Sequence, residues 1–162
     1  MTHPLSSCRG SFLRTVFVVT VFTTALSGCR SVCVWGVGCQ PTIRLHVQGE
    51  EGMNGGNAAR VVIYQLADDA AFRAASVDEF WQDDGSVLDD ATVGRQRGLV
   101  LYPLEIRLID VELEASTTFI AVAANLRYPE PGGWRHVFPV DDVTGKTLRV
   151  RVSEGDVVAV IQ

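Results

Sequence analysis

Apolar positions along the chain follow two periods. Thr42 to Val47 places Ile43, Leu45 and Val47 on one side and Arg44 and His46 on the other, the pattern of a half-buried strand. Arg60 to Leu66 is rich in β-branched residues and predicts a buried strand. Between Asp68 and Asp84 the period changes: Ala71, Phe72, Ala75 and Phe80 sit near helical spacing. Asp68 or Asp69 can cap the first turn, and Ser76 followed by Glu79 fits a capping box. Two short helical turns packed on a sheet are expected there, then a turn over 83–86 and a stretch without clear pattern over 87–93. After that the chain is β throughout. Arg97 to Leu101 predicts a strand that ends near Tyr102 and Pro103. Glu105 to Glu114 alternates with Ile106, Leu108, Val111 and Leu113, and the break at Ile109-Asp110 predicts a bulge. Thr117 to Leu126 is almost wholly apolar, which suits a central strand buried on both faces. Tyr128 to Gly133 holds two prolines and two glycines and must turn. Trp134 to Val140 predicts another strand, 141–145 a turn, and 147–152 with 156–161 a closing hairpin. Seven or eight strands at this spacing predict an all-β fold, a two-sheet β-sandwich with a short helical insertion after the second strand.

The first 28 residues follow a different rule. Arg9 and Arg14 are their only charges, and Thr15 to Gly28 is an uncharged run of 14 residues. As a helix it would reach roughly 21 Å, short of the roughly 30 Å hydrocarbon core of a bilayer. A basic start, a short apolar segment and small residues before a cut describe a secretory signal. Here the segment ends in Leu26-Ser27-Gly28-Cys29, which looks like a bacterial lipobox: cleavage makes Cys29 the new N-terminus and its thiol carries diacylglycerol. The alternative is an ordinary signal peptide with an incidental cysteine. Arg30 follows, where an Asp would mark inner-membrane retention under the rule of enteric bacteria, so the outer membrane is expected. The predicted organisation is a signal at 1–28, a lipidated tether at 29–40 and a sandwich at 41–162.

Composition then narrows the function. Removing residues 1–28 leaves 134 residues with 12 basic and 19 acidic side chains, a net charge of −7. An acidic domain without a basic cluster argues against nucleic acid and gives no pull toward anionic lipid. Cys33 and Cys39, six positions apart, can close a small disulfide loop or remain as thiols in the tether. With His46 and His136 the only histidines after residue 28, no spacing supports a zinc site, and no metal or cofactor is expected. The pairs Asp68-Asp69, Asp83-Asp84, Asp89-Asp90 and Asp141-Asp142 fall at turns and suit caps better than acid–base work. No nucleophile elbow accompanies His136, and the glycine stretch at 49–59 lacks the Lys-Ser/Thr end of a phosphate loop. No catalytic residue is assigned.

The remaining unusual feature is that glycine-rich stretch between the first two strands, with glycines at 49, 52, 55 and 56. Recognition tends to sit on such loops, although a tolerated insertion has the same composition. Several motifs in order resemble the TssJ lipoprotein family of the type VI secretion system. They are the lipobox, Met53-Asn54 in the first interstrand loop, and Tyr64-Gln65-Leu66 closing a strand. Phe72, Ala75 and Phe80 follow, then the apolar strand from Ile120 to Ala124, Trp134-Arg135 and the terminal hairpin. The chain departs from that pattern at Tyr102-Pro103-Leu104-Glu105, which lacks a Pro-Gly turn, and at Cys33 and Cys39. The resemblance implies a transthyretin-like sandwich facing the periplasm. It also implies an anchoring role, in which the lipoprotein holds the periplasmic domain of the inner-membrane component TssM, partly through the first interstrand loop. The candidate contacts are Gly49, Gly52, Met53, Asn54, Gly55, Gly56 and Asn57. Two alternatives carry different requirements: a lipid-tethered carrier needs a large apolar pocket lined from both sheets, and a periplasmic hydrolase needs His136 near a carboxylate and a nucleophile in a cleft.

Overall fold

Eight strands make two four-stranded sheets in the computed structural model, which describes residues 40–162, with Arg95 and Gln96 by backbone only. Cys29, Cys33, Cys39 and the apolar run 15–28 lie outside the described residues. The first sheet contains β1 (Thr42–Gly49), β4 (Ile106–Glu112), β7 (Thr147–Val152) and β8 (Val157–Ile161) in the order β4-β1-β7-β8. The second contains β2 (Ala59–Leu66), β3 (Thr92–Leu101), β5 (Phe119–Asn125) and β6 (Arg135–Pro139) in the order β3-β2-β5-β6. All neighbours are antiparallel except β1 and β7, which run parallel.

The inner faces meet through alternate residues. Ile43, Leu45 and Val47 of β1 and Leu148, Val150 and Val152 of β7 pack against Val61, Ile63, Ile120, Val122 and Ala124 of the opposite sheet. The outer face of the second sheet is also buried. Three short helices follow β2: α1 (Ala70–Ala74), α2 (Val77–Gln82) and α3 (Asp84–Leu88). Their Phe72, Phe80 and Leu88 cover Val62, Tyr64, Leu66, Ala121 and Ala123. This second layer is why β2 and β5 are written as continuous apolar runs, and why β5 offers alanines to the rings above it. A fourth helical turn, α4 (Val140–Val143), inserts Val143 into the inter-sheet core.

The capping box forms as expected, with the Glu79 amide donating to Ser76 Oγ at 3.3 Å. Asp68 accepts from the Ala70 amide at 2.9 Å. Three expectations are corrected. The predicted turn over 83–86 starts α3, because Asp83 accepts from the Ser86 amide at 3.0 Å and supplies the cap that lets the helix begin. Strand β3 begins at Thr92 rather than Arg97. No bulge occurs at Ile109-Asp110, since β4 pairs with β1 in unbroken register from Ile106 to Glu112. The period breaks there because β4 is an edge strand: Ile109, Val111 and Leu113 point inward, while Ile106 and Leu108 point out to solvent. The register shift lies instead in the β2–β3 pair, between Ile63 and Gln65.

That shift frees the Gln65 side chain to reach across to the segment between β4 and β5. Its Nε2 donates to the Glu112 carbonyl at 3.0 Å, and its Oε1 accepts from the Glu114 amide at 2.9 Å and Thr117 Oγ1 at 2.7 Å. On either side, Tyr64 enters the aromatic layer and Leu66 is fully buried. The Tyr64 hydroxyl donates to Asp84, which ties α3 to the sheet; burial first, and then that carboxylate, push its pKa well above the ordinary phenol range. Gln65→Ala strands three polar groups at once. It is expected to cost about 2–3 kcal/mol in chemical denaturation. A loss within 0.5 kcal/mol, roughly the spread of surface changes, would show that water replaces the clamp.

Candidate functional site at the β1–β2 turn

Strand β1 ends at Gly49, where side-chain volume is forbidden. A Cβ there would lie 2.4 Å from Met53 Sδ and 2.4 Å from the Tyr102 carbonyl oxygen. The closeness has a purpose. Gly49 donates to the Glu105 carbonyl at 2.9 Å and accepts from the Leu104 amide at 3.0 Å, which fastens the β3–β4 turn to the end of β1. Glu50 then donates to the Val152 carbonyl at 2.9 Å, fastening the β7–β8 hairpin.

The next residues form a 3-10 turn over Met53–Gly56. Met53 is the one large apolar side chain of the stretch and is fully buried in the inter-sheet core. Asn54, Gly55 and Gly56 follow with φ of 51°, 64° and 79°. Glycine tolerates this region freely, and asparagine is among the few side chains that do. Asn54 is buried, and its carboxamide bonds within the turn and to the backbone of Arg127. Asn57 closes the turn by donating its Nδ2 to the carbonyls of Asn54 at 3.2 Å and Gly55 at 3.1 Å.

The structure therefore divides the seven candidate residues. Gly52, Gly55, Gly56 and Asn57 are exposed, whereas Gly49, Met53 and Asn54 are buried and build the turn from beneath. Met53 and Asn54 turn their side chains inward, where Met53 fills the core and the Asn54 carboxamide holds the turn, so the surface of the stretch is made by the exposed candidates. Gly52 has open space where a Cβ would stand. Sequence reasoning missed the neighbours that the backbone bonds bring to the same end: Tyr102, Leu104 and Tyr128 are 57%, 71% and 76% exposed. A tyrosine directly before a proline, as in Tyr102-Pro103 and Tyr128-Pro129, was the available signal.

The sites the alternatives require have different contents. His136 stacks on Phe138 at 5.8 Å, in a hollow lined by Phe72, Arg73, Gly132, Arg135 and Val137, which supplies neither a carboxylate nor a nucleophile. A groove of about 900 Å³ runs between β3 and β4, the edge strands on one side of the sandwich. It is an open slot with charged walls, Arg97, Arg107, Glu112 and Glu114 among them, and it reaches only the fringe of the inter-sheet core at Leu99 and Ile109. On the other side the sandwich is laced shut: Val157 donates to the Gly133 carbonyl at 2.7 Å and Glu130 to Gly155 at 2.8 Å. Among the described residues, no group of three or more His, Cys, Asp or Glu side chains is placed to hold a metal, and no helix is long and apolar enough to cross a membrane.

Residues 41–155 match the model of the family T6SS-SciN, described as type VI secretion lipoprotein, with VasD, EvfM and TssJ among its names. Among solved structures, the chain is similar to the T6SS lipoprotein TssJ1 from Pseudomonas aeruginosa, with a TM-score of 0.68 at 21% identity over 76% of this chain and 98% of that one. It is similar to a chain in the structure of the T6SS protein TssM C-terminal domain (869–1107) from EAEC, with a TM-score of 0.64 at 23% identity over 74% and 98%. It is also similar to a chain of a type VI membrane complex, with a TM-score of 0.68 at 24% identity over 75% and 99%. No curated protein matches.

Proposed function

The chain belongs to the type VI secretion lipoprotein family, and from that premise we propose that it anchors the secretion membrane complex by holding the periplasmic domain of a TssM-type inner-membrane protein. Acyl chains on Cys29 fix it to the periplasmic face of the outer membrane, and the exposed residues of the β1–β2 turn meet the partner. The work is recognition, with no bond-making step.

One observation carries the partner assignment. The stretch aligned with the TssM structure is 74% of 162 residues, about 120, and accounts for 98% of the matched chain. A fragment running from 869 to 1107 is about twice that length. We take the matched chain to be a companion of the TssM fragment, bound beside it. The geometry supports the same role: four turns are fastened at one end of the sandwich, and three of their exposed side chains are large and apolar.

The test must spare Met53, since deleting 52–57 would remove a core side chain as well as the surface. Gly52→Arg avoids this, because φ there is −88° and a Cβ meets no atom within 4 Å. The variant is expected to melt with wild type and to bind the partner's periplasmic domain at least about tenfold more weakly, because a cation is buried unpaired at the contact. Unchanged affinity in a calorimetric titration would remove the β1–β2 turn from the interface.

A further inference from the structure

We propose that Asn54 is the positioning residue of this recognition surface: its carboxamide locks the β1–β2 turn to the β5–β6 turn, so that the partner meets the two as one pre-formed unit. The proposal rests on the partner assignment above.

Asn54 Nδ2 donates to the Ala58 carbonyl at 2.8 Å, and Oδ1 accepts from the Arg127 amide at 2.6 Å. Its backbone is equally committed, donating to the Ser153 carbonyl at 3.1 Å and accepting from the Asn57 amide at 3.3 Å. One residue thus touches three turns. At 7% exposed it has no carboxamide left for a partner, so it acts through what it holds. The residues it holds are the exposed ones: Gly55, Gly56 and Asn57 on its own turn, and Tyr128 directly after Arg127.

The need for a lock follows from the backbone. Three consecutive positive-φ residues, two of them glycine, have the widest conformational freedom once released. Ordering such a segment during docking subtracts from affinity, whereas a segment already fixed gives that loss no opening. The asparagine side chain supplies both a donor and an acceptor at the same Cα, and tolerates the left-handed backbone. Aspartate keeps only the acceptor, and glycine keeps only the backbone.

The experiment measures binding of the full, membrane-extracted chain to the partner's periplasmic domain for wild type, Asn54→Gly and Asn54→Asp. Melting temperature and hydrogen exchange at the Arg127 amide are read alongside. The glycine variant, which leaves two hydrogen-bonded groups without their partner, is expected to melt cooperatively at up to about 10 °C below wild type, to exchange the Arg127 amide faster and to bind about tenfold or more weakly. The aspartate variant, which still accepts from Arg127, is expected to recover most of the affinity. Wild-type affinity in Asn54→Gly overturns the proposal. So does a glycine variant that melts far below wild type, since Asn54 would then support the body of the fold and not the surface. Failure of wild type itself to bind is a separate result, which removes the partner assignment and this proposal with it.

Discussion

Cys29→Ala is expected to stop lipidation, to take the protein out of the outer-membrane fraction and to stop type VI secretion outright. Each buried methylene contributes about 0.8 kcal/mol, so two or three acyl chains hold almost permanently while a single one is marginal. The remaining body carries a net charge of −7 and is repelled by anionic headgroups. Among the described residues no helix can span a bilayer. The 123 residues from Gln40 onward keep their core in the variant, so the expected phenotype is a folded protein in the wrong place. Fractionation and the mass of the N-terminal peptide check this directly. Secretion at the wild-type level by a non-lipidated variant would end the anchoring role.

Trp134→Ala is expected to be the most destabilising single substitution in the described body, at about 3–5 kcal/mol and roughly 10–20 °C in melting temperature. Total stability of such a domain is about 5–15 kcal/mol, so the loss threatens the fold itself. Trp134 is 2% exposed and sits where the helical layer meets the sheet. Its ring lies 5.0 Å from Phe80, 6.1 Å from Phe72 and 6.3 Å from Trp81, measured between centroids. The Arg135 guanidinium lies 4.6 Å from its centre and donates onward to the carbonyls of Phe72, Arg73 and Ala75, closing the end of α1. Truncation opens a cavity and also loosens the cation that holds the first helix. A two-state melt that shifts by less than about 4 °C would mean that the layer repacks without the indole.

How much of this was legible depends on how far each residue's environment is set by its neighbours in sequence. Strands β1, β2, β5, β7 and β8 were readable because burial on one or both faces writes the period into the residues themselves. The Ser76–Glu79 cap was readable because its partners are three positions apart. Strand β4 misled because Ile106 and Leu108 are apolar yet face outward, so residue type there does not report which face is buried. The first half of β3 was missed because Thr92 to Gln96 holds one large apolar residue, and Gly94 sits at φ 65° against the Glu114 side chain. At the candidate site the position of the turn was legible and its construction was not. The burial of Met53 depends on contacts with Gly49 and the core, and Asn54 finds its acceptor role 73 residues away. Hydrogen bonds from backbone to backbone leave no mark in residue type, so four converging turns look from sequence like one glycine-rich loop.

The placement of β1 has a mechanical consequence. This strand lies in the interior of its sheet, bonded along its length to β4 on one side and β7 on the other. The chain enters it at Thr42 and the β1–β2 turn leaves it at Gly49, so the two connections sit at opposite tips of one extended segment of roughly 26 Å. Under the proposed attachment and partner contact, a pull between the envelope's two membranes would be borne lengthwise by this strand. Two full ladders of hydrogen bonds resist it in shear and must give way together, where a hairpin loaded at its end would unzip one rung at a time.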